Sequence, residues 1–227
     1  MNAGVLPIAA RLAQYGGKIP MKKTLALAIS LLAFFASPAM AEPTRLVVLG
    51  DSLSAGYGLG PGEGFTDQLQ KALAAKGLDV AVINAGVSGD TTGGGLARLD
   101  WSVGPEAQAV IVELGANDML RGLDPDVPRQ ALDAILTRLG ERKLPVLLAG
   151  MRAAPNLGPD YAQRFDGLYR DLAAKHGAML YPFFLDGVVA EPSLLLADGM
   201  HPNAAGIAVI VEKILPAVED LVAQARR

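Results

Sequence analysis

The 227-residue chain contains no cysteine. Disulfides, zinc–thiolate centres, iron–sulfur clusters and a thiol nucleophile are thereby excluded. It has only two histidines, His176 and His201. That is too few for a metal site built mainly on imidazole; no metal is expected, and no other cofactor is called for. Any imidazole base must be one of those two. Charge is also sparse, with Asp, Glu, Lys and Arg at 19% against 51% apolar residues, a balance too apolar for a disordered chain. A formal net charge of −3 supplies no basic surface to neutralise a phosphate backbone, and nucleic acid is not expected as a partner. Aromatics amount to 5%, with Trp101 the single tryptophan, which leaves little material for a sugar-stacking platform.

The apolar excess is partly N-terminal. From Met21 the sequence reads MKKTLALAISLLAFFASPAMA: two lysines, an apolar run from Leu25 to Phe35, Pro38, then small residues. Ala39-Met40-Ala41 has the A-x-A form of a signal-peptidase site. The run is shorter than the about 20 apolar residues that span a bilayer, so a retained anchor is not expected. Residues 1–20 lack this pattern, and translation is expected to begin at Met21. Residues 1–41 are thus read as an upstream extension plus signal peptide, and 42–227 as one domain of a periplasmic or secreted protein.

Within 42–227, short apolar runs alternate with helical periodicity. Strands are expected at 45–50, 80–83, 109–114, 145–149 and 179–182, the last weaker. Helices are expected at 65–76, 92–101, 128–139, 161–175 and 204–223, with Gly77 and Gly140 as stops. Helical crossovers imply a parallel sheet covered on both faces, and the expectation is a three-layer α/β/α domain with five parallel strands. Ligands in such sheets bind beyond the carboxyl ends of the strands.

Four stretches stand at or near those ends. Gly50-Asp51-Ser52-Leu53-Ser54 leaves the first strand. It fits neither the phosphate loop with its Gly-Lys pair nor the dinucleotide fingerprint. A serine there is ordinarily a cap or turn-former. At the head of a helix it could also act as a nucleophile beside free backbone N–H groups. After the second strand comes Asn84-Ala85-Gly86-Val87-Ser88-Gly89-Asp90-Thr91. This reads equally as a turn into a helix capped by Asp90 or Thr91, or as a place where the Gly89 N–H meets a substrate oxygen. Gly115-Ala116-Asn117-Asp118 follows the third strand, and the Asn117 amide either closes a turn or points at the serine as an oxyanion donor. Asp198-Gly199-Met200-His201-Pro202-Asn203 precedes the last helix. There Asp198 can accept from Nδ1 of His201 and leave Nε2 free to take a hydroxyl proton. Pro202 is expected to keep this loop extended. His176, at a helix end beside Gly177, is expected to bind terminal carbonyls and is assigned no chemistry.

Together these blocks make the sequence resemble the GDSL, or SGNH, hydrolases, most nearly the bacterial thioesterase I/lysophospholipase L1/arylesterase group. The four family letters match Ser52 in GDSLSAGYG, Gly89 in NAGVSGDTTGGGLARL, Asn117 in ELGANDMLRG and His201 in DGMHPN, in order, across about residues 45–222. The resemblance implies a flavodoxin-like sandwich with Ser52 as nucleophile, His201 as base and Asp198 as its partner. It also implies an oxyanion hole made by the N–H groups of Ser52 and Gly89 with the Asn117 amide. Family members accept thioesters, aryl esters and lysophospholipids and need no metal. The G-x-S-x-G elbow of the α/β-hydrolases is missing around Ser52.

The expected function is therefore hydrolysis of small acyl esters and thioesters through an acyl-enzyme, by a monomer. Two alternatives stand beside it: a carbohydrate O-acetyl esterase using the same residues, and a non-catalytic periplasmic lipid or acyl carrier. Leu53, Met119, Leu120 and Leu157, apolar residues near the expected pocket, suit ester hydrolysis and the carrier alike. Residues 151–160 are expected to border the acyl groove.

Overall fold

The computed structural model describes residues 42–227. The expected start at Met21, the signal peptide and its cleavage after Ala41 lie outside the described residues. Five strands form one sheet: β1 (Thr44–Gly50), β2 (Val80–Gly86), β3 (Ala109–Glu113), β4 (Val146–Ala149) and β5 (Met179–Tyr181). All pair in parallel, in the order β2-β1-β3-β4-β5. This is the flavodoxin-like order, with its switch point between β1 and β3.

The three central strands are almost wholly buried, as their continuous apolar runs require. The edge strands β2 and β5 are mostly half-buried. Strand β2 runs three residues past the expected Ile83, because Asn84, Ala85 and Gly86 continue the pairing with Val48, Leu49 and Gly50. Registers align the strand ends in one row. Gly50 stands beside Gly86 on one side and Glu113 on the other, Glu113 beside Ala149, and Ala149 beside Tyr181.

The helices are α1 (Ser52–Ala55), α2 (Phe65–Ala75), α3 (Thr92–Ala97), α4 (Leu99–Ser102), α5 (Ala116–Leu120), α6 (Asp126–Glu141), α7 (Pro159–His176) and α8 (Ala204–Ala225). One layer joins α2 to α8; the other runs from α3 through α6 to α7. The core between sheet and helices includes Leu46, Phe65, Leu69, Ile111, Leu132, Phe165 and Phe184, each fully buried. Helix α6 starts at Asp126, two residues before the expected Pro128, because proline is tolerated in a first turn. The expected helix 92–101 is instead two short ones. Arg98 breaks it with φ −106° and ψ 7°, its side chain drawn inward.

His176 also differs from expectation. Its Nε2 lies 2.6 Å from Oδ1 of Asp133 on α6, so it ties α6 to α7 rather than binding terminal carbonyls.

Candidate active site

Beyond the row of strand ends lies a pocket of about 740 Å³. Ser52, Gly89, Asn117 and His201 all line it, although they come from four separated stretches of chain. Each reaches it for a local reason. The Asp51 side chain accepts the Leu53 N–H at 3.0 Å, which starts α1 and sets Ser52 at its head. No side chain is tolerated at Gly50: a Cβ there would meet the Ser54 hydroxyl and lie 2.7 Å from Oε2 of Glu113.

The loop carrying Gly89 is fixed by its neighbours. Gly89 has φ +84°, while a Cβ added to it would touch nothing within 4 Å. Backbone conformation, not crowding, therefore requires glycine there. Its carbonyl accepts from Nη2 of Arg121 at 2.7 Å. Thr91 caps α3 by accepting the Gly94 N–H, whereas Asp90 turns to Arg98. Thr92 donates its N–H and hydroxyl to Asp118, at 2.8 and 2.7 Å, which joins this loop to the Asn117 turn.

Before α8 the chain makes a tight turn through Gly199, at φ +67°. Leu195 and Pro202 form a bridge across it, so the segment is not the extended loop expected from Pro202. Asp198 Oδ1 accepts the N–H groups of Met200 and His201 at 2.9 and 3.0 Å. Its Oδ2 lies 2.7 Å from Nδ1 of His201, and His201 Nε2 lies 2.9 Å from Oγ of Ser52. The two backbone N–H groups, with the imidazole, hold the Asp198 carboxyl down at about 2. An ionised carboxylate only accepts, so Nδ1 carries the proton and Nε2 is left to accept from the Ser52 hydroxyl. The Tyr57 ring leans on the imidazole with centroids 4.4 Å apart.

Neither the Ser52 nor the Gly89 N–H has an acceptor among the described residues. Asn117 Nδ2 gives one hydrogen to Oδ2 of Asp51 at 3.1 Å, which leaves the other for the pocket. All five residues expected at the site are thus gathered in one place. The pocket walls are mainly apolar, with Leu53, Met119, Met151, Phe183, Leu185 and Val189 among them. Leu120 joins them, and Met151 to Pro155 form part of the border, whereas Leu157 does not line the pocket.

Two buried groups beneath the site were not expected. Arg98, 7% exposed, binds Asp90 at 2.6 Å and donates to the carbonyls of Gly50 and Ala85 at 2.8 and 2.6 Å. Glu113 ends β3 fully buried, its Oε2 3.4 Å from the Asp51 N–H and its Oε1 without a partner. A lone charged residue closing the run AVIVE was the available signal.

The model for the GDSL-like lipase/acylhydrolase family matches residues 48–209. "Esterase TesA" of Pseudomonas aeruginosa is 41% identical over 182 residues, covering 80% of this chain and 90% of that protein. "Thioesterase 1/protease 1/lysophospholipase L1" of Escherichia coli is 37% identical over 178 residues, covering 78% and 82%. The crystal structure of AlinE4, "a SGNH-hydrolase family esterase", superposes with a TM-score of 0.69 at 47% identity, covering 80% of this chain and 98% of that one.

Proposed function

Since the chain belongs to the GDSL-like lipase/acylhydrolase family and is a hydrolase of carboxylic esters and thioesters, we propose that Ser52, His201 and Asp198 carry the reaction. The supporting observation is the continuous chain from Asp198 through both nitrogens of His201 to the Ser52 hydroxyl, at 2.7 and 2.9 Å. His201 Nε2 takes the Ser52 proton as Oγ attacks the acyl carbonyl. Asp198 fixes the tautomer and stabilises the imidazolium. The developing oxyanion receives the N–H groups of Ser52 and Gly89 and the free hydrogen of the Asn117 amide. The imidazolium then protonates the departing alcohol or thiol. Water, activated by the same base, releases the acid from Ser52.

The acyl group we assign to this pocket is an unbranched aliphatic chain, as in a fatty-acyl thioester or a lysophospholipid. Apolar walls lose water on accepting such a chain, and four exposed apolar side chains, Tyr57, Leu120, Val189 and Met200, edge the mouth. A carbohydrate ester would find little to stack on. A carrier without turnover would give no role to a histidine bonded to the serine hydroxyl. Steady-state hydrolysis of p-nitrophenyl butyrate tests the roles. Ser52→Ala and His201→Ala are expected to lose about 10⁶ in kcat, by analogy with other serine triads. Wild-type turnover in Ser52→Ala overturns the assignment.

We also read residues 21–41 as an export signal that delivers 42–227 to the periplasm or the medium. Among the described residues no helix is long and apolar enough to cross a membrane. N-terminal sequencing of the exported protein is expected to begin at Glu42; retention of residues 21–41 would contradict it.

A further inference from the structure

Beneath the nucleophile sit two carboxyl groups that the mechanism above leaves unused. Asp51 and Glu113 are both completely buried. Their backbones are joined, because Gly50 and Glu113 are partners across β1 and β3, and Glu113 Oε2 faces the Asp51 N–H. Two anions cannot share so dry a space. Oε1 of Glu113 has no hydrogen-bond partner, and the help its carboxyl receives from Ser54 and the Asp51 N–H is outweighed by burial. Asp51, by contrast, has a donor on each oxygen: the Leu53 N–H at 3.0 Å and the Asn117 amide at 3.1 Å. The pair is therefore arranged for Glu113 to hold a proton and for Asp51 to carry the charge. Burial, then the Asp51 charge, pushes Glu113 well above its usual range. Burial pushes Asp51 to about 6, against the Leu53 N–H and the Asn117 amide, which lower it.

We propose that Asp51 is a positioning residue for ester hydrolysis, its carboxylate clamping one hydrogen of the Asn117 amide so that the other stays aimed at the oxyanion. A primary amide rotates about its side-chain torsions, and an unclamped Asn117 would also be free to present its carbonyl to the developing negative charge. One bond to Asp51 Oδ2 removes that choice, because a carboxylate accepts only from the NH₂ end. The same carboxylate starts α1, so a single group sets both the serine and the amide. This inference rests on Asn117 acting as an oxyanion donor, and the experiment separates the two claims.

Two substitutions keep an oxygen for the Leu53 N–H while breaking the clamp. Asp51→Asn turns an NH₂ toward the Asn117 NH₂, and Asp51→Ser caps the helix but is too short to reach. With p-nitrophenyl butyrate at pH 8, both are expected to lower kcat by about 10- to 100-fold, less than loss of the donor itself, with KM within about twofold. In an Asn117→Ala background the same substitutions are expected to change kcat by less than about threefold, since there is nothing left to position. An equal loss with and without Asn117, or a loss confined to KM, overturns the proposal. If Asn117→Ala keeps the wild-type kcat, the oxyanion reading fails, and this inference with it. If Asn117→Ala falls by about 10²–10³ while both Asp51 variants match the wild type, only the positioning role fails. Should both variants unfold, the wild-type protein still decides. The Asn117 side-chain NH₂ signals, identified as those missing from Asn117→Ala, are expected to show one hydrogen protected from solvent exchange. Fast exchange of both refutes the clamp.

Discussion

Placing a tryptophan at Met151 is expected to shorten the range of acyl chains the enzyme accepts without touching its chemistry. Met151 follows β4 by two residues, lines the pocket and is only 3% exposed, so a larger side chain there has little route to solvent and must take up pocket volume. Each methylene that leaves water for an apolar wall is worth about 0.8 kcal/mol, or about fourfold in kcat/KM. In the wild type, kcat/KM for p-nitrophenyl esters should therefore rise by up to fourfold per methylene from acetyl until the chain passes the pocket mouth. If the indole displaces about three methylenes, the loss is about 2.4 kcal/mol, roughly 60-fold in kcat/KM for the octanoyl ester. The acetyl ester, which does not reach the wall, should stay within about twofold. Overpacking has its own cost, about 1–3 kcal/mol, so a melting curve must accompany the kinetics. A uniform fall for acetyl and octanoyl esters in a folded variant would refute this account of the pocket. So would an unchanged chain-length slope.

Asp198→Asn should keep the two backbone bonds at Oδ1 and set an NH₂ against Nδ1, which puts the imidazole proton on Nε2, where it cannot accept from Ser52. A kcat loss of about 10³–10⁴ is expected, with KM little changed; a loss under tenfold would contradict the tautomer argument. Arg98→Ala strips partners from Asp90 and from the Gly50 and Ala85 carbonyls. Breaking such a buried pair costs about 3–5 kcal/mol, or roughly 6–20 °C of Tm in a domain of this size, and a Tm within about 2 °C of wild type would contradict it. Asp51 makes a pH-dependent contribution of known sign. Its folded pKa, about 6, stands above the usual 3.8, so the folded state keeps a proton that the unfolded chain releases, and stability is lost as pH rises from 3.8 to about 6. Asp51→Asn lacks this loss, so its Tm relative to wild type should climb between pH 4 and 6.5; a flat or falling difference would contradict the raised pKa.

What could be read in advance followed from local chemistry. The strands expected at 45–50 and 109–114 stand where their apolar runs lie, and glycine follows the helix ends at Gly77 and Gly177, whereas the stop expected at Gly140 lies inside α6, which continues to Glu141. Ser52, Gly89 and Asn117 were legible as candidates because each stands in a turn just past a strand end, where a parallel sheet delivers such turns to one edge, and His201 because it stands in the loop that leads into the last helix. Asp198 was legible through its spacing to His201. The support beneath them was not. Glu113 looked like an ordinary charged strand end, and only the register of β1 against β3 puts it under Asp51. Arg98 sat in a stretch with helical periodicity, and nothing local announced that its side chain would reach Gly50, 48 residues earlier. The partner of His176 is 43 residues away on another helix, a pairing that depends on the packing of α6 against α7.

The central claim is that Ser52 becomes acylated because His201 removes its proton. Reacting the protein with a fluorophosphonate and mapping the adduct by peptide mass measures this directly. The account predicts one equivalent on the peptide containing Ser52, none in Ser52→Ala, and labelling at least about 10³-fold slower in His201→Ala. Adducts elsewhere in the chain, or rapid labelling of Ser52 without His201, would contradict it.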